Sequence, residues 1–414
     1  FPEVVQTPNF LQDVDRKYFE GKPALIVAAG PSLNDEIEHI RKIKEQGLAY
    51  IFTVGSAINS LVHAGIYPDA AFTYDPTEKN QIVFEKLKEE NITEIPLVFG
   101  SSVGYETLQN HPSEKKFHMI TSQDTISPYY LVSKGSEPIE GVYDAPSIAV
   151  VTLQALFRIG CSPIVLVGQN LGYKEDSRYA EGISYATKVN EAEKKLTVES
   201  VDGTTIYTNE SFLRMKHQLE SYIARIPNGQ VINTTKHGAK IEGATFQPLN
   251  EVMDSSFKEG TVTDSWLDAK PSYSHSHVAV KVEEMERATE QFESLLSQLV
   301  EGIVRMEQLA ETMQAKELIK LFDKFDQAFG RFQQNKFYEV VLKPMVRVQA
   351  DLTHKKVQSI RFNNDPVAKS AALVQAIGPF LYECQQDAKM IAPAYHWMVN
   401  KMKEITTTEK VQAE

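Results

Sequence analysis

The sequence predicts an α/β fold, a doubly wound and mainly parallel sheet, followed by an all-helical C-terminal domain. From 23 to 250, short apolar runs alternate with segments whose apolar residues recur at three and four, the pattern of buried parallel strands joined by helices. The runs end in loops carrying Gly, Asn or Asp, and in such folds ligands bind at the carboxyl ends of the strands. Beyond 277 the strand-length runs give way to one apolar stripe stepping by three and four from Val278 to Met313.

Residues 1–22 mix aromatic and charged side chains and read as a lead-in helix or arm on the domain at 23–250. Leu25, Ile26 and Val27 centre a strand at 24–28, which stops at Ala28-Ala29-Gly30 before a helix at 32–46. A strand at 49–53 feeds a short helix through Ala57, Leu61 and Val62, closed by Gly65. Strands at 70–73, 96–100 and, more weakly, 117–121 follow, with a helix at 77–90 after Tyr74-Asp75-Pro76. Residues 122–146 are loop-rich, and Tyr129-Tyr130 there suggest a lid or a dimer contact. A long apolar helix at 147–160 leads to a second strong strand at 163–167, with Gly168-Gln169-Asn170-Leu171 at its tip. Asp202-Gly203 marks a hairpin, Thr208-Asn209 caps a helix toward Arg225, and 231–233 is the last strand. Residues 251–276 read as a linker in which His275 and His277 have no third metal ligand. In the helical domain at 277–403, helices are expected to 313 and at 315–333, 336–361 and 366–402, the last interrupted near Gly378-Pro379 and Pro393; a flexible tail covers 404–414.

A chain of 414 residues holds two or three cores, and a formal charge of -12 with a pI near 5.4 argues against a nucleic-acid surface. Cys161 and Cys384 carry no Cys-x-x-Cys spacing, which suits a reducing compartment and offers no disulfide or metal framework. No apolar run reaches the roughly 18 residues of a membrane span. Phe1-Pro2-Glu3 is no signal peptide, and without an initiator methionine a preceding segment, even a whole domain, is expected to be missing.

The stretch Pro23–Leu33 has the strand-turn-helix form in which backbone N–H groups converge on an anion, with Ser32 able to cap and Gly30 allowing close approach. It is neither G-x-G-x-x-G nor G-x-x-x-x-G-K-[ST], so P-loop ATP hydrolysis loses its support; the competing reading is a plain strand-helix turn. Asp75 could orient a hydroxyl, bind a metal, accept a proton or simply cap the helix after it, while Ser56 and Asn59 could reach the same ligand. Gln169 and Asn170 are amides suited to reading hydroxyls and poor as bases, which directs attention to Glu175, Asp176 and Tyr173. His217 reads equally as a surface histidine, and Glu220 lies one turn away. Lys236, His237 and Lys240 form a basic cluster that could neutralise an anion, with His237 able to act as acid or base, or could be a solvated loop.

Taken together, A-L-I-V-A-A-G-P-S-L (24–33), G-S-A-I-N-S-L-V-H-A-G-I-Y-P-D (55–69), D-A-P-S-I-A-V (144–150), C-S-P-I-V-L-V-G-Q-N-L-G-Y (161–173) and V-I-N-T-T-K-H-G-A-K-I-E-G (231–243) resemble the motility-associated factor (Maf) glycosyltransferases. The resemblance spans the α/β part, and the helical C-terminus matches in kind and position. It implies a Rossmann-like fold related to sialyltransferases and transfer, with inversion, of a pseudaminic or legionaminic type nonulosonic acid from a CMP-activated donor to Ser or Thr hydroxyls of flagellin in the cytoplasm. Gly30, Pro31, Ser32 and Leu33 then lie near the nucleotide phosphate, with Ser56, Asn59, Gln169, Asn170 and Lys236 lining the donor. Asp75, Glu175, Asp176, Glu220 and His237 are the candidate bases. The family's Gly-Gln-Asp-Leu is Gly168-Gln169-Asn170-Leu171 here, and its Gly-Gly-Ala is His237-Gly238-Ala239. No cofactor or metal is required, although Asp75 leaves room for one monodentate site, and a homo-oligomer is compatible with the sequence. The helical domain is expected to grip flagellin, with Met285, Met306 and Met313 as adaptable contacts, or else to use its stripe only for packing within the bundle. Gly-Pro-Ser-Leu and G-I-x-P-D are shared with 6-hydroxymethylpterin pyrophosphokinases, the enzymatic alternative using Mg-ATP; a non-enzymatic flagellin-binding protein is the other.

Overall fold

The computed structural model describes the chain except residues 136–137, 174–176, 187–195 and 414 and the side chains of 408–413. It forms two compact units, one of Val4–Asp124 with Ile139–Ser272, the other of Phe1–Glu3, Thr125–Pro138 and Tyr273–Glu414.

In the α/β unit the strands are β1 (Ala24–Val27), β2 (Tyr50–Val54), β3 (Ala70–Thr73), β4 (Leu97–Gly100), β5 (Lys116–Thr121), β6 (Gly141–Val142), β7 (Ile164–Val167), β8 (Leu196–Glu199), β9 (Thr205–Thr208), β10 (Val231–Asn233) and β11 (Thr245–Phe246). Nine of them form one parallel sheet in the order β11-β10-β7-β1-β2-β3-β4-β5-β6, while β8 and β9 pair as the antiparallel hairpin around Asp202-Gly203. Every residue of β1, β2, β3 and β7 is buried, because both faces of the sheet are covered. Alternate side chains serve two cores. Leu25, Val27, Ile51 and Val165 pack with Leu33, Ile40 and Leu61 on one face, and Ile26, Tyr50, Phe52 and Leu166 with Leu153 and Leu156 on the other. The second core is completed by the N-terminal residues: Phe10 meets Phe52, Phe72, Phe117 and Trp266 edge to face.

The chain steps outward from β1 to β6, then returns through the helix Ile148–Ile159 to start β7 on the far side of β1. The carboxyl ends of β1 and β7 therefore flank the switch point of the sheet, where such folds hold ligands.

Several elements differ in kind from the expectation. The helices at 32–46 and 77–90 both begin as 3-10 turns, Pro31–Glu36 and Glu78–Phe84, and become α only at Ile37–Glu45 and Glu85–Glu89. Buried side-chain bonds pin these entries, Ser32 to Asn170 in the loop after β7, and Asn80 to Thr73 at the end of β3 and to Thr107 in the helix Tyr105–Asn110. β6 and β11, two residues each, are too short for a periodic signal.

The helical unit contains His275–Glu311, Ala315–Gln334, Arg347–Ile360 and Pro366–Ala413. The stripe from Val278 through Val282, Met285, Phe292, Leu296, Leu299, Ile303 and Met306 is buried inside this unit, so Met285 and Met306 are core residues and only Met313 is exposed. Ser274 caps the first helix, which places His275 and His277 in its first turn. The helix expected over 336–361 is broken into a π turn at Tyr338–Leu342 and a new start at Arg347, past Pro344. The last helix runs through Pro379 and Pro393, since burial of Ile377, Phe380, Leu381, Tyr395 and Met398 on both sides outweighs the lost backbone bonds. Tyr130 is fully buried against Tyr129 and Phe1, which makes this pair packing residues of the helical unit and not a lid.

Burial pushes the imidazoles of His111 and His118 down to about 3; for His111 the Lys116 charge adds to the effect, and for His118 the Thr7 and Pro8 carbonyls oppose it. Both rings stay neutral in the fold, whereas the unfolded chain takes up protons below the ordinary value of 6.5. Stability should therefore fall as pH drops from 6.5 toward 3, by about 1.4 kcal/mol per pH unit for each histidine. Urea unfolding followed between pH 7 and 4 should show a shallower loss in a His111→Gln/His118→Gln variant; an unchanged slope contradicts this assignment.

Candidate functional site at the sheet switch point

The loops after β1 and β7 are interlocked. Ala28 N–H donates to Val167 O and Gly30 N–H to Gly168 O, both at 2.9 Å. Beyond them the Asn170 carboxamide oxygen accepts both the Ser32 N–H (3.2 Å) and the Ser32 hydroxyl (2.7 Å). This approach requires glycine: a Cβ on Gly30 would stand 2.2 Å from Asn170 Oδ1, and one on Gly168, whose φ is +68°, 2.3 Å from Ala28 O. The loop after β10 joins them, with Gln169 N–H donating to Thr235 Oγ1 (3.0 Å) and Ala239 N–H to Asn170 O (2.8 Å).

The turn's backbone donors are therefore largely engaged. Over 28–33, the N–H groups of Ala28, Gly30, Ser32 and Leu33 bond within the protein and Pro31 has none. Ala29 is the one residue there whose N–H has no partner among the described residues. Asn170 spends its oxygen on Ser32, while the side-chain oxygen of buried Gln169 has no hydrogen-bond partner among the described residues.

The segment at 177–186 crosses this region. Ala180 N–H donates to Ala29 O and Glu181 N–H to Asn34 Oδ1, both at 2.9 Å. Tyr185 donates its hydroxyl to Ser56 Oγ at 2.7 Å and accepts from Asn59, and burial raises its pKa. Ser56 and Asn59 thus share one tyrosine, one strand over from β1.

The charged candidates are spread out. Lys236 lies 3.3 Å from the carboxylate of buried Glu36, whose other oxygen meets His39 Nδ1 at 2.7 Å. His237, in a left-handed turn at φ +55°, sets Nδ1 3.1 Å from Asp202. Bonds from the Thr204 hydroxyl and N–H, then from His237, hold the Asp202 carboxyl well below its ordinary range. Glu220 pairs with Lys216 at 2.5 Å and accepts the Glu242 N–H at 2.9 Å, so it anchors a loop. Asp75, exposed beyond β3, accepts the Thr77 N–H at 2.8 Å in a local turn, and among the described residues no bond reaches its Oδ2. His217 is exposed. Glu175 and Asp176 lie outside the described residues. Asp13-Val14-Asp15 has the Asp-x-Asp form, but Asp13 bonds Asn9 and Ser272, and Asp15 bonds Lys17. Among the described residues no three His, Cys, Asp or Glu side chains converge as a metal site would need.

Glu36, Arg178, Tyr179, Tyr185 and Thr235 belong to this surface without having been singled out by sequence. Tyr179 and Tyr185, aromatic residues in an otherwise polar loop, were the available signal.

Since only Asn170 Oδ1 engages Ser32, Asn170→Asp should keep both bonds and most of the stability. Asn170→Ala should lose about 1–3 kcal/mol by orphaning two buried donors. Denaturant unfolding of the two variants checks this, and equal losses contradict it.

A family described as 6-hydroxymethylpterin diphosphokinase MptE-like matches residues 1–176. No curated protein matches the chain. Among solved structures the chain is similar to a Maf glycosyltransferase from Magnetospirillum magneticum AMB-1, with a TM-score of 0.57 and 14% identity. The likeness covers 98% of this chain and 63% of that one, so this chain spans less than two thirds of its length. The Rossmann-like α/β sheet with a helical C-terminal region is thus a fold shared with that Maf glycosyltransferase.

Proposed function

We propose that this chain is a glycosyltransferase that moves a nonulosonic acid of pseudaminic or legionaminic type from a CMP-activated donor to a Ser or Thr hydroxyl of flagellin. The likeness to the Maf glycosyltransferase over 98% of the chain carries the reading, and the five ordered motifs agree with it. The acceptor oxygen bonds to the anomeric carbon as the bond from that carbon to the phosphate oxygen breaks, with inversion; CMP leaves, and the acceptor proton passes to a base. Among the described candidates His237 is best disposed. Asp202, held ionised, fixes Nδ1 and leaves Nε2 to take the proton. Asp75, whose Oδ2 has no bond among the described residues, is next.

For the acceptor, the helical unit offers an apolar cleft of about 350 Å³ lined by Phe292, Leu296, Phe337, Ala388, Ala392 and Tyr395. A groove of this kind between helices suits the apolar face of a helical segment, as expected of flagellin's termini. Among the described residues no helix is long and apolar enough to cross a membrane. A donor and an acceptor that both meet the enzyme in the cytoplasm fit this.

The match of residues 1–176 to a family named for a pterin diphosphokinase is not evidence for the alternative reading, pyrophosphoryl transfer from ATP. It stops before β10, the 236–243 loop and most of the helical unit, which that reading leaves without a use. Calorimetric titration with CMP, ADP and NAD should give the tightest binding with CMP; tighter ADP or NAD contradicts the proposal. His237→Ala should lower transfer by about 100-fold or more with CMP affinity retained. Unchanged transfer removes His237 from the base role.

A further inference from the structure

On the CMP-donor reading, which this inference rests on, the switch point must supply positive charge to the donor phosphate. The turn's backbone donors are nearly all engaged, and Lys236, His237 and Lys240 are each paired with carboxylates, Glu36, Asp202 and the Glu199/Glu242 pair. Arg178 differs. Its guanidinium lies over the ring of Phe212, 5.2 Å from the centroid, and 5.7 Å from that of Tyr179. No carboxylate pairs with it among the described residues, and the side chain is half-buried.

Its position ties it to both strand tips. Two residues on, Ala180 is bonded to Ala29 in the loop after β1. Phe212, under the guanidinium, packs on Tyr173 in the loop after β7, 5.6 Å between centroids, and its N–H is fixed by the Asn209 cap. An aromatic platform orients a planar guanidinium and leaves its N–H edge free for a two-pronged bond to an anion, an arrangement lysine cannot reproduce. Glu175, Asp176, Glu181 and Glu210 are the acidic residues close in sequence to Arg178 and Phe212; Glu175 and Asp176 lie outside the described residues, and Glu181 is tied through its backbone N–H to Asn34. We infer that Arg178, held over the Phe212 ring beside the loop after β1, is the residue that binds the donor phosphate, supplying the charge that the interlocked turn cannot.

Calorimetry of the full chain with CMP and with cytidine isolates the phosphate contribution. The wild type should prefer CMP. Arg178→Ala should lose about 10- to 100-fold in CMP affinity with cytidine affinity unchanged, which also reports a folded site. Arg178→Lys should recover only part of the loss. A wild type that prefers CMP while Arg178→Ala keeps the same CMP-to-cytidine ratio overturns the inference alone. A wild type that binds neither ligand overturns the donor reading and the inference with it.

Discussion

The α/β unit depends on how closely the tips of β1 and β7 approach. Gly30 and Gly168 let two loops share backbone bonds at a distance no other residue allows, and the Asn170 oxygen closes the seam by holding both donors of Ser32. That closure determines what the site can be. Donors that would form an anion-binding nest are committed to structure, which leaves Ala29 N–H and the Gln169 side-chain oxygen, both unpartnered among the described residues, and nearby side chains to meet a ligand. Charge at this switch point is therefore a matter of side chains more than of the loop.

The basic residues divide accordingly. Lys236 compensates Glu36, a carboxylate almost wholly buried beneath the first turn, and removing that ammonium would leave a buried carboxylate with His39 as its remaining ion-pair partner among the described residues. Its first role is structural, since it ties the loop after β10 to the helix entry after β1. His237 is tied to the hairpin through Asp202, an arrangement that orients an imidazole. The hairpin, the 177–186 segment and the helix Glu210–Ile223 all belong to the stretch between β7 and β10, so this connection supplies most of the residues with chemistry to offer.

The central strands were legible because burial on both faces makes them continuous apolar runs, and the hairpin because Asp-Gly favours a tight turn with Gly203 at φ +79°. Edge strands of two residues carry no period. The 3-10 entries at Pro31 and Glu78 carry side-chain bonds to other elements, Ser32 to Asn170 after β7 and Asn80 to Thr73 and Thr107, which the apolar spacing does not encode. Prolines 379 and 393 read as breaks because the burial that carries the helix past them is tertiary. In the site, residue types were visible and partners were not. Asn170 reads as an amide for a sugar until Ser32 is found against it, and Glu220 reads as a base until Lys216 and the Glu242 N–H are seen to occupy it. Arg178 gave no motif at all; its importance comes from Phe212, 34 positions later in the chain.

The central claim is that the β1–β7 switch point holds a CMP-activated sugar, and the most direct test is a crystal structure of the chain with CMP bound. The account predicts the phosphate within hydrogen-bonding distance of the Ala29 N–H and the Arg178 guanidinium, in the crevice beyond Val27 and Val167. A nucleotide seated elsewhere on the chain, with that crevice filled by solvent, would contradict it.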